Sequence, residues 1–304
     1  GLMLIVSATL VDPWSDSDDS NCTPEEIESR TRKFVDRWEE AQALRRGFRV
    51  AVNKLRSFFY DLNAWLEQVV PASNKGKNDE YDLELFQHIS EAVMDKMRSL
   101  VLEFQKEAEK IAPSEIPAHS AFVKSELHPF IMRAPFPFRT YHKPLGYAGD
   151  YEMMNMIHNE RPEGPNVYAQ LINRLYTRQP MALCVRNRVA MLEEYIHAES
   201  TRRVSQGLPF RMISVGCGPA VECERFIKKS SFANSCTIDL MDFNEQTLAH
   251  AEERINGAVE ATRSRVTVNY IKNSVHSLLK QAASGELAAP AQRYDLAYCA
   301  GLFD

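Results

Sequence analysis

The fold is decided by a glycine turn between two apolar runs, Met212-Ile213-Ser214-Val215-Gly216-Cys217-Gly218-Pro219-Ala220 and Thr237-Ile238-Asp239-Leu240-Met241-Asp242. Both runs read as strands, and the residues between them have a helical pattern. Gly216 and Gly218 let the backbone approach a ligand without a Cβ in the way. Asp242 ends the second run, about twenty residues on, where an acidic side chain can bind both hydroxyls of a ribose. The stretch therefore predicts strand, turn, helix and strand beside a nucleoside.

The turn lacks the third glycine of the dinucleotide fingerprint G-x-G-x-x-G, because Ala220 and Val221 follow Pro219. Residues 215–220 instead resemble the first motif of class I S-adenosylmethionine (SAM)-dependent methyltransferases, and residues 242–244 resemble the acidic end of their second strand. This family binds a nucleoside that has no pyrophosphate. Ser214 stands where the family often has an acidic residue, and Glu222 is predicted to supply that charge nearby. The alternative is a generic turn that binds nothing.

Two further strands are predicted downstream, over Val266–Ile271 and Tyr294–Gly301. Strands that alternate with helices predict a parallel, doubly wound α/β sheet whose ligand lies at the carboxyl ends of the strands. The resemblance places a polar residue against the adenine N6 after the third strand, and that residue is Asn273 here. A class I sheet normally has more strands than those visible after Arg211, so we expect its C-terminal part to be truncated.

Composition excludes several classes of protein. A net charge of −5 argues against nucleic acid as a partner, since phosphate binding needs a basic face. The six cysteines form no C-x-x-C pair, which fits a reducing cytoplasm. The eight histidines show no metal-ligand spacing, so no metal is predicted. Nothing approaches a membrane span. The expected partner is a small molecule in a cytoplasm, bacterial by the resemblance described below.

The N-terminal third predicts a helical hairpin. Thr23-Pro24-Glu25-Glu26 forms a capping box, and one apolar stripe continues to Leu66, with Gly47 as a break. A second helix is predicted over residues 82–112 after a polar loop at 71–81. The hairpin is either a structural or dimerising cap or a lid over the cofactor, and a homodimer through these helices is predicted. The domains are thus a cap (1–115), a linker and active-site lid (116–205) and an incomplete SAM-binding domain (206–304).

Residues 122–151 are rich in proline and aromatic side chains, which excludes a regular helix or a central strand. An irregular loop between two domains commonly carries function, and a packed interdomain strap is the alternative. Residues 139–155 resemble a signature of bacterial proteins of 3-hydroxypalmitic acid methyl ester biosynthesis. They are equally similar to azetidine-2-carboxylate synthases, which cyclise SAM itself. The resemblance covers roughly residues 120–304. Short helices are predicted after it, over 151–158, 166–178 and 180–198.

Two reactions fit this resemblance. A carboxylate or hydroxyl of a fatty-acid-like acceptor attacks the SAM methyl group, or the SAM amine attacks its own γ-carbon and expels methylthioadenosine. Aromatic faces suit the sulfonium cation, and the second reaction needs a proton acceptor. A non-catalytic SAM-binding protein is a third reading. The predicted catalytic residues are His142, Tyr147, Asp150, Glu152, Asn155 and Tyr176. The predicted cofactor-binding residues are Phe136, Arg139, Gly216, Cys217, Gly218, Pro219, Glu222, Asp242, Phe243, Asn273, Ser274 and Cys299.

Overall fold

A computed structural model describes residues 23–42, 44–70, 79–147, 149–159, 161–284 and 293–301. The helices in chain order are α1 (Pro24–Gln42), α2 (Arg46–Val69), α3 (Asp79–Ala108), α4 (Ile116–Ile131), α5 (Pro135–His142), α6 (Tyr151–Asn159), α7 (Val167–Thr177), α8 (Pro180–Val204), α9 (Val221–Lys229), α10 (Glu245–Thr262) and α11 (Val275–Ser284). The strands are β1 (Phe210–Val215), β2 (Cys236–Asp242), β3 (Thr267–Lys272) and β4 (Leu296–Cys299). The predicted strands and the helices that begin near residues 151, 166 and 180 are confirmed.

The described residues form two compact units. Unit 1 draws on Gly1–Ala148 and Glu160–Thr177, and unit 2 draws on Gly149–Asn159 and Arg178–Asp304. This division differs from the three predicted segments, because the segment 116–205 contributes helices to both units. The chain enters unit 2 for α6, returns to unit 1 for α7 and then completes unit 2.

The structure tests two predictions about the first helix of unit 1, its capping box and its length. The Thr23 N–H donates to Glu26 Oε2 at 2.9 Å and the Glu26 N–H donates to Thr23 Oγ1 at 3.3 Å, which confirms the capping box. The break expected at Gly47 lies slightly earlier, because α1 ends at Gln42 and α2 begins at Arg46. Arg45 before α2 ion-pairs with Glu115 at 2.9 Å. The stripe on α1 is largely exposed, and dimerisation through it stays a prediction.

The predicted hairpin pair is present as α2 and α3, which pack against each other. The Phe48 and Phe104 rings lie 5.4 Å apart between their centroids, and both side chains are buried. Most of the predicted loop that joins the helices, at 71–78, lies outside the described residues.

The prediction that residues 122–151 form an irregular loop is wrong, because most of α4 and all of α5 lie there. Pro135 is the first residue of α5, and Pro137 is also in its first turn. The N–H groups of a first turn have no partner within the helix, so prolines cost little there. Lys143 ends α5 in the left-handed conformation with φ 47°, and the described residues of this segment outside the helices are 132–134, 143–147, 149 and 150.

Gly164 gives a test of unit 1. Its φ is +147°, and a Cβ there would lie 3.0 Å from the Ala169 carbonyl carbon and from the Gln170 nitrogen. We expect Gly164→Ala to lower the free energy of unfolding by about 3 kcal/mol, measured by urea denaturation. The control is Gly257→Ala within α10, where a Cβ meets no atom within 4 Å, and a gain of about 0.5–1 kcal/mol is expected. Similar effects of both substitutions would contradict the backbone argument.

Within the described residues of unit 2, four parallel strands form one sheet in the order β3-β2-β1-β4. This confirms the predicted α/β class with a parallel sheet. The order reproduces the first strands of a doubly wound sheet, in which the direction of winding reverses between β1 and β4. Ligands of such sheets bind in the crevice at this reversal, outside the carboxyl ends of the strands.

The core of unit 2 lies between the sheet and its helices. Ile196 of α8, Phe226 of α9 and Ile255 of α10 are fully buried in one cluster with Phe210 and Ile238 of the sheet. This packing fixes α9 directly after β1 and so holds the glycine turn in place. None of the helices in the described ranges is both long and apolar enough to cross a membrane.

Candidate functional site

The glycine turn is fastened to the end of β2. The N–H groups of Gly216 and Cys217 both donate to the Met241 carbonyl, at 2.8 and 2.9 Å. Gly216, Gly218 and Ala220 have φ values of 68°, 53° and 51°. Ala220 therefore holds a left-handed conformation that glycine adopts more easily than alanine. Strain of this kind is typical of ligand-binding turns.

Asp242 lies beside this turn at the carboxyl end of β2, and only 6% of it is exposed. Its Oδ2 accepts the Gly218 N–H at 3.2 Å, and its Oδ1 accepts the Asn244 N–H at 3.0 Å. Burial raises the pKa of the Asp242 carboxyl, although these backbone N–H groups favour its charged form. Each carboxylate oxygen has a second lone pair, so the group can also accept hydrogen bonds from a vicinal diol.

The remaining cofactor-binding candidates of unit 2 lie at the same edge of the sheet. The Asn273 N–H donates to the Asp242 carbonyl at 3.1 Å, and Asn273 Oδ1 accepts the Ser274 N–H at 2.9 Å. The Ser274 hydroxyl oxygen caps α11, because it accepts an N–H of the first turn at 3.1 Å. Phe243 is 51% exposed, and Cys299 is the last residue of β4. The fold thus brings Asp242, the turn and Asn273 into one hydrogen-bonded edge.

Glu222, in the first turn of α9, is buried below the glycine turn. The Tyr298 hydroxyl of β4 donates to Glu222 Oε1 at 2.9 Å and lies 3.3 Å from the Cys223 sulfur. Burial raises the pKa of the Glu222 carboxyl. Glu222 is therefore bonded to β4, and its part in the cofactor site stays a prediction.

Asp150 and Glu152, the acidic candidates for a catalytic base, lie at the start of α6 in unit 2. Asp150 is 1% exposed, and its Oδ1 accepts the Met153 N–H at 3.0 Å, so it caps α6. Glu152 Oε1 accepts a long hydrogen bond of 3.4 Å from the Tyr151 hydroxyl. A catalytic role for Asp150 would compete with its role as a helix cap.

Asn155 is tied to α10 by both ends of its amide. Arg254 donates to Asn155 Oδ1 at 2.8 Å, which leaves Nδ2 to donate to His250 Nε2 at 2.9 Å. His250 must therefore be neutral at Nε2, and its ring stacks on Tyr151 at 4.7 Å. Arg254 also donates to Glu224 of α9 at 2.6 Å. These contacts favour a positioning role for Asn155, as the residue that fixes α6.

The other predicted site residues lie in unit 1. Phe136 is buried, and its N–H donates to Asn173 Oδ1 at 2.8 Å. Arg139 is half-buried on α5, and Tyr147 is half-buried in the irregular stretch that follows. His142 is exposed at the end of α5, with its ring 4.3 Å from that of Phe138 and 5.0 Å from that of Tyr141. These ring contacts favour a packing role for His142.

Tyr176, the last of these candidates, lies in α7 with 6% of its surface exposed. Its hydroxyl and that of the buried Tyr168 have no hydrogen-bond partner among the described residues. Burial raises the pKa of both phenols, so both stay protonated. Tyr176 therefore offers an uncharged ring and a hydroxyl donor within unit 1, and its role in a cation cage stays a prediction.

Sequence reasoning missed three residues: Tyr298, which bonds to Glu222, and His250 and Arg254, which bond to Asn155 of α6. Tyr298 immediately precedes the predicted Cys299, so the end of β4 pointed to it. His250 and Arg254 are four residues apart on one face of the predicted helix after Asp242, a weak signal that any solvated helix face also shows. Only the packing of α6 against α10 gives them a function.

Two histidines make unit 2 sensitive to acid. Burial and the nearby charges of Arg225, Arg186 and Arg254 lower the pKa of His158 to about 4. Burial and Arg254 also lower the pKa of His250. Because both pKa values lie below the ordinary value of 6.5, the unfolded chain binds protons more readily, and stability falls as the pH drops from about 6.5 towards 4.

Asp242 and Glu222 have raised pKa values and act in the opposite direction, so the histidine contribution is read from a difference between variants. We expect the urea midpoint of the wild-type protein to fall relative to that of His158→Asn as the pH drops from 6.5 to 4. The matched control is His276→Asn, because His276 is exposed at the surface of α11 and its replacement should leave the pH profile unchanged. Parallel profiles of the wild-type protein and His158→Asn between pH 6.5 and 4 would contradict the prediction.

Comparisons with protein-family models, curated proteins and solved structures give no significant match to this chain. The function is therefore argued from the geometry of the site.

Proposed function

We propose that the chain binds S-adenosylmethionine at the carboxyl edge of its sheet and acts as a SAM-dependent enzyme of class I methyltransferase type. The observation that carries the proposal is Asp242, a buried carboxylate at the end of β2 that is bonded to the Gly218 N–H at 3.2 Å. This geometry suits the two hydroxyls of a ribose, and the adjacent turn lacks the glycine fingerprint that binds a pyrophosphate. Asn273 donates its N–H to the Asp242 carbonyl, so it lies next to the proposed ribose site, where its side chain can bind the adenine N6.

Methyl transfer is the reaction that we favour. A lone pair of an acceptor oxygen attacks the SAM methyl carbon, the carbon–sulfur bond breaks, and S-adenosylhomocysteine leaves with the electron pair on sulfur. A carboxylate acceptor has no proton to lose, so the protein contributes mainly alignment. This agrees with the hydrogen bonds of Asp150 and Asn155, which position the start and the middle of α6 and so favour structural roles for both side chains.

Cyclisation of SAM is the second candidate, supported by the resemblance of residues 139–155 to azetidine-2-carboxylate synthases. The SAM amine attacks its own γ-carbon, the bond between that carbon and sulfur breaks, and methylthioadenosine leaves. The nitrogen then loses a proton to a base or to water. Glu152 is the best-placed carboxylate of α6 for this role, because Asp150 caps the helix.

Incubation of the protein with SAM and no acceptor, followed by mass spectrometry, tests these reactions. Methylthioadenosine together with a new cyclic amino acid, above the background decay of SAM, would establish cyclisation. Intact SAM that is bound to the protein in calorimetry would leave methyl transfer or a binding-only protein. A screen of hydroxy fatty acids and other carboxylates, scored by release of S-adenosylhomocysteine, then separates those two. Absence of SAM binding would overturn the proposal.

A further inference from the structure

Two buried carboxylates face the glycine turn from different elements. Asp242 approaches from β2 and bonds to the Gly218 N–H, and Glu222 approaches from α9. The bond from Tyr298 to Glu222 Oε1, at 2.9 Å, spans from β4 to α9. Ser214 of β1 is paired with Tyr298 in the sheet register. Glu222 therefore lies at the reversal point between β1 and β4, where doubly wound sheets bind their ligands.

The charge of Glu222 is only weakly compensated. Its hydrogen-bond partners are the neutral Tyr298 hydroxyl, the neutral Cys223 thiol and its own backbone N–H. Arg225 acts on it through space, and that is the smallest of the influences on its pKa. Burial together with the charges of Asp242 and Glu222 raises the pKa of the Cys217 thiol between them, so this thiol stays protonated. Burial alone favours the protonated form of Glu222, and a cation bound beside it favours the charged form.

We propose that Glu222 determines specificity for the charge on the ligand's sulfur, so that the site selects SAM over S-adenosylhomocysteine. This inference rests on the proposed function. The two ligands differ by one methyl group and by the positive charge of the sulfonium. A buried carboxylate attracts a nearby cation strongly, because the surroundings screen charge less than water does. Both methyl transfer and cyclisation remove the charge from sulfur, so the same residue favours release of the product.

Glu222→Gln tests the inference, because it removes the charge and keeps an oxygen that can accept the Tyr298 hydroxyl. Calorimetric titration of the purified chain with SAM and with S-adenosylhomocysteine should show a loss of about 10-fold in affinity for SAM. The affinity for S-adenosylhomocysteine should change less than about twofold, since that sulfur is neutral. Equal changes for both ligands, or no change for either, would overturn the inference.

Tyr298→Phe separates the charge from the hydrogen bond that anchors it. This variant keeps the carboxylate, so the ratio of the two affinities should stay within about twofold of the wild-type ratio. A fall as large as that in Glu222→Gln would assign specificity to the anchor and overturn the inference. It also supplies the test if Glu222→Gln does not fold.

The melting temperature of Glu222→Gln is a further test, because a purely structural role of Glu222 predicts a decrease. Because burial raises the pKa of Glu222, its charged form is costly, so Glu222→Gln should raise the melting temperature of the ligand-free protein most at alkaline pH, where the carboxyl is ionised. A fall in melting temperature would count against the inference. The proposed function fails separately, when the wild-type protein binds neither ligand.

Discussion

Asp242→Ala is expected to lower the affinity for SAM by at least about 100-fold, because two hydrogen bonds from ribose hydroxyls to a carboxylate are lost together. The carboxylate lies at the end of β2 with its Oδ1 and Oδ2 held by the N–H groups of Asn244 and Gly218. Binding then needs no rearrangement of this side chain, so its removal acts directly on the ligand. Isothermal titration with SAM measures the loss.

The substitution also removes an acceptor from the glycine turn, so a matched variant is needed. Asp242→Asn retains one oxygen for the Gly218 N–H and should weaken SAM binding to an intermediate degree. Asp95→Ala is the control for an acidic side chain outside unit 2, since Asp95 belongs to unit 1 and its side chain is 93% exposed on α3. Undiminished SAM affinity in Asp242→Ala would overturn the cofactor site.

Arg254→Ala is expected to destabilise unit 2 by about 2–3 kcal/mol, because it leaves an amide oxygen without its donor and a largely buried carboxylate with only the half-exposed Lys228 as a partner. Arg254 and Glu224 are each 18% exposed and lie 2.6 Å apart. The other end of the guanidinium donates to Asn155 at 2.8 Å and so joins α6 to α10. Urea denaturation measures the change, and hydrogen exchange should show the largest loss of protection in α6.

Lys228→Ala is the matched control, because Lys228 pairs with the same Glu224 at 2.7 Å from a side chain that is 48% exposed. An exposed ion pair one helical turn apart contributes about 0.3–0.5 kcal/mol, so this variant should unfold almost as the wild type does. Equal effects of the lysine and arginine substitutions would show that burial does not separate the two interactions.

Hydrophobic pattern and turn chemistry predicted the local elements well. The strands near Gly216, Asp242 and Asn273 follow from short apolar runs that end in polar or glycine residues, and these signals act over a few residues. The capping box at Thr23 is equally local. The same reasoning failed at Pro135 and Pro137, because it treated proline as a breaker and did not ask whether it occupied a first turn.

The sequence by itself determined the strands, the glycine turn and the acidic residue at the end of β2, since each depends on neighbours along the chain. Only the tertiary structure decided the rest. The strand order, the return of the chain to unit 1 for α7 and the contact of Tyr298 with Glu222 join residues that are far apart in sequence. Such pairings depend on how the apolar faces of helices and strands pack against each other. A local sequence pattern shows that a face is apolar, but it does not encode which distant element covers that face. The charge at the β1–β4 reversal, on which the proposed specificity depends, belongs to this second class.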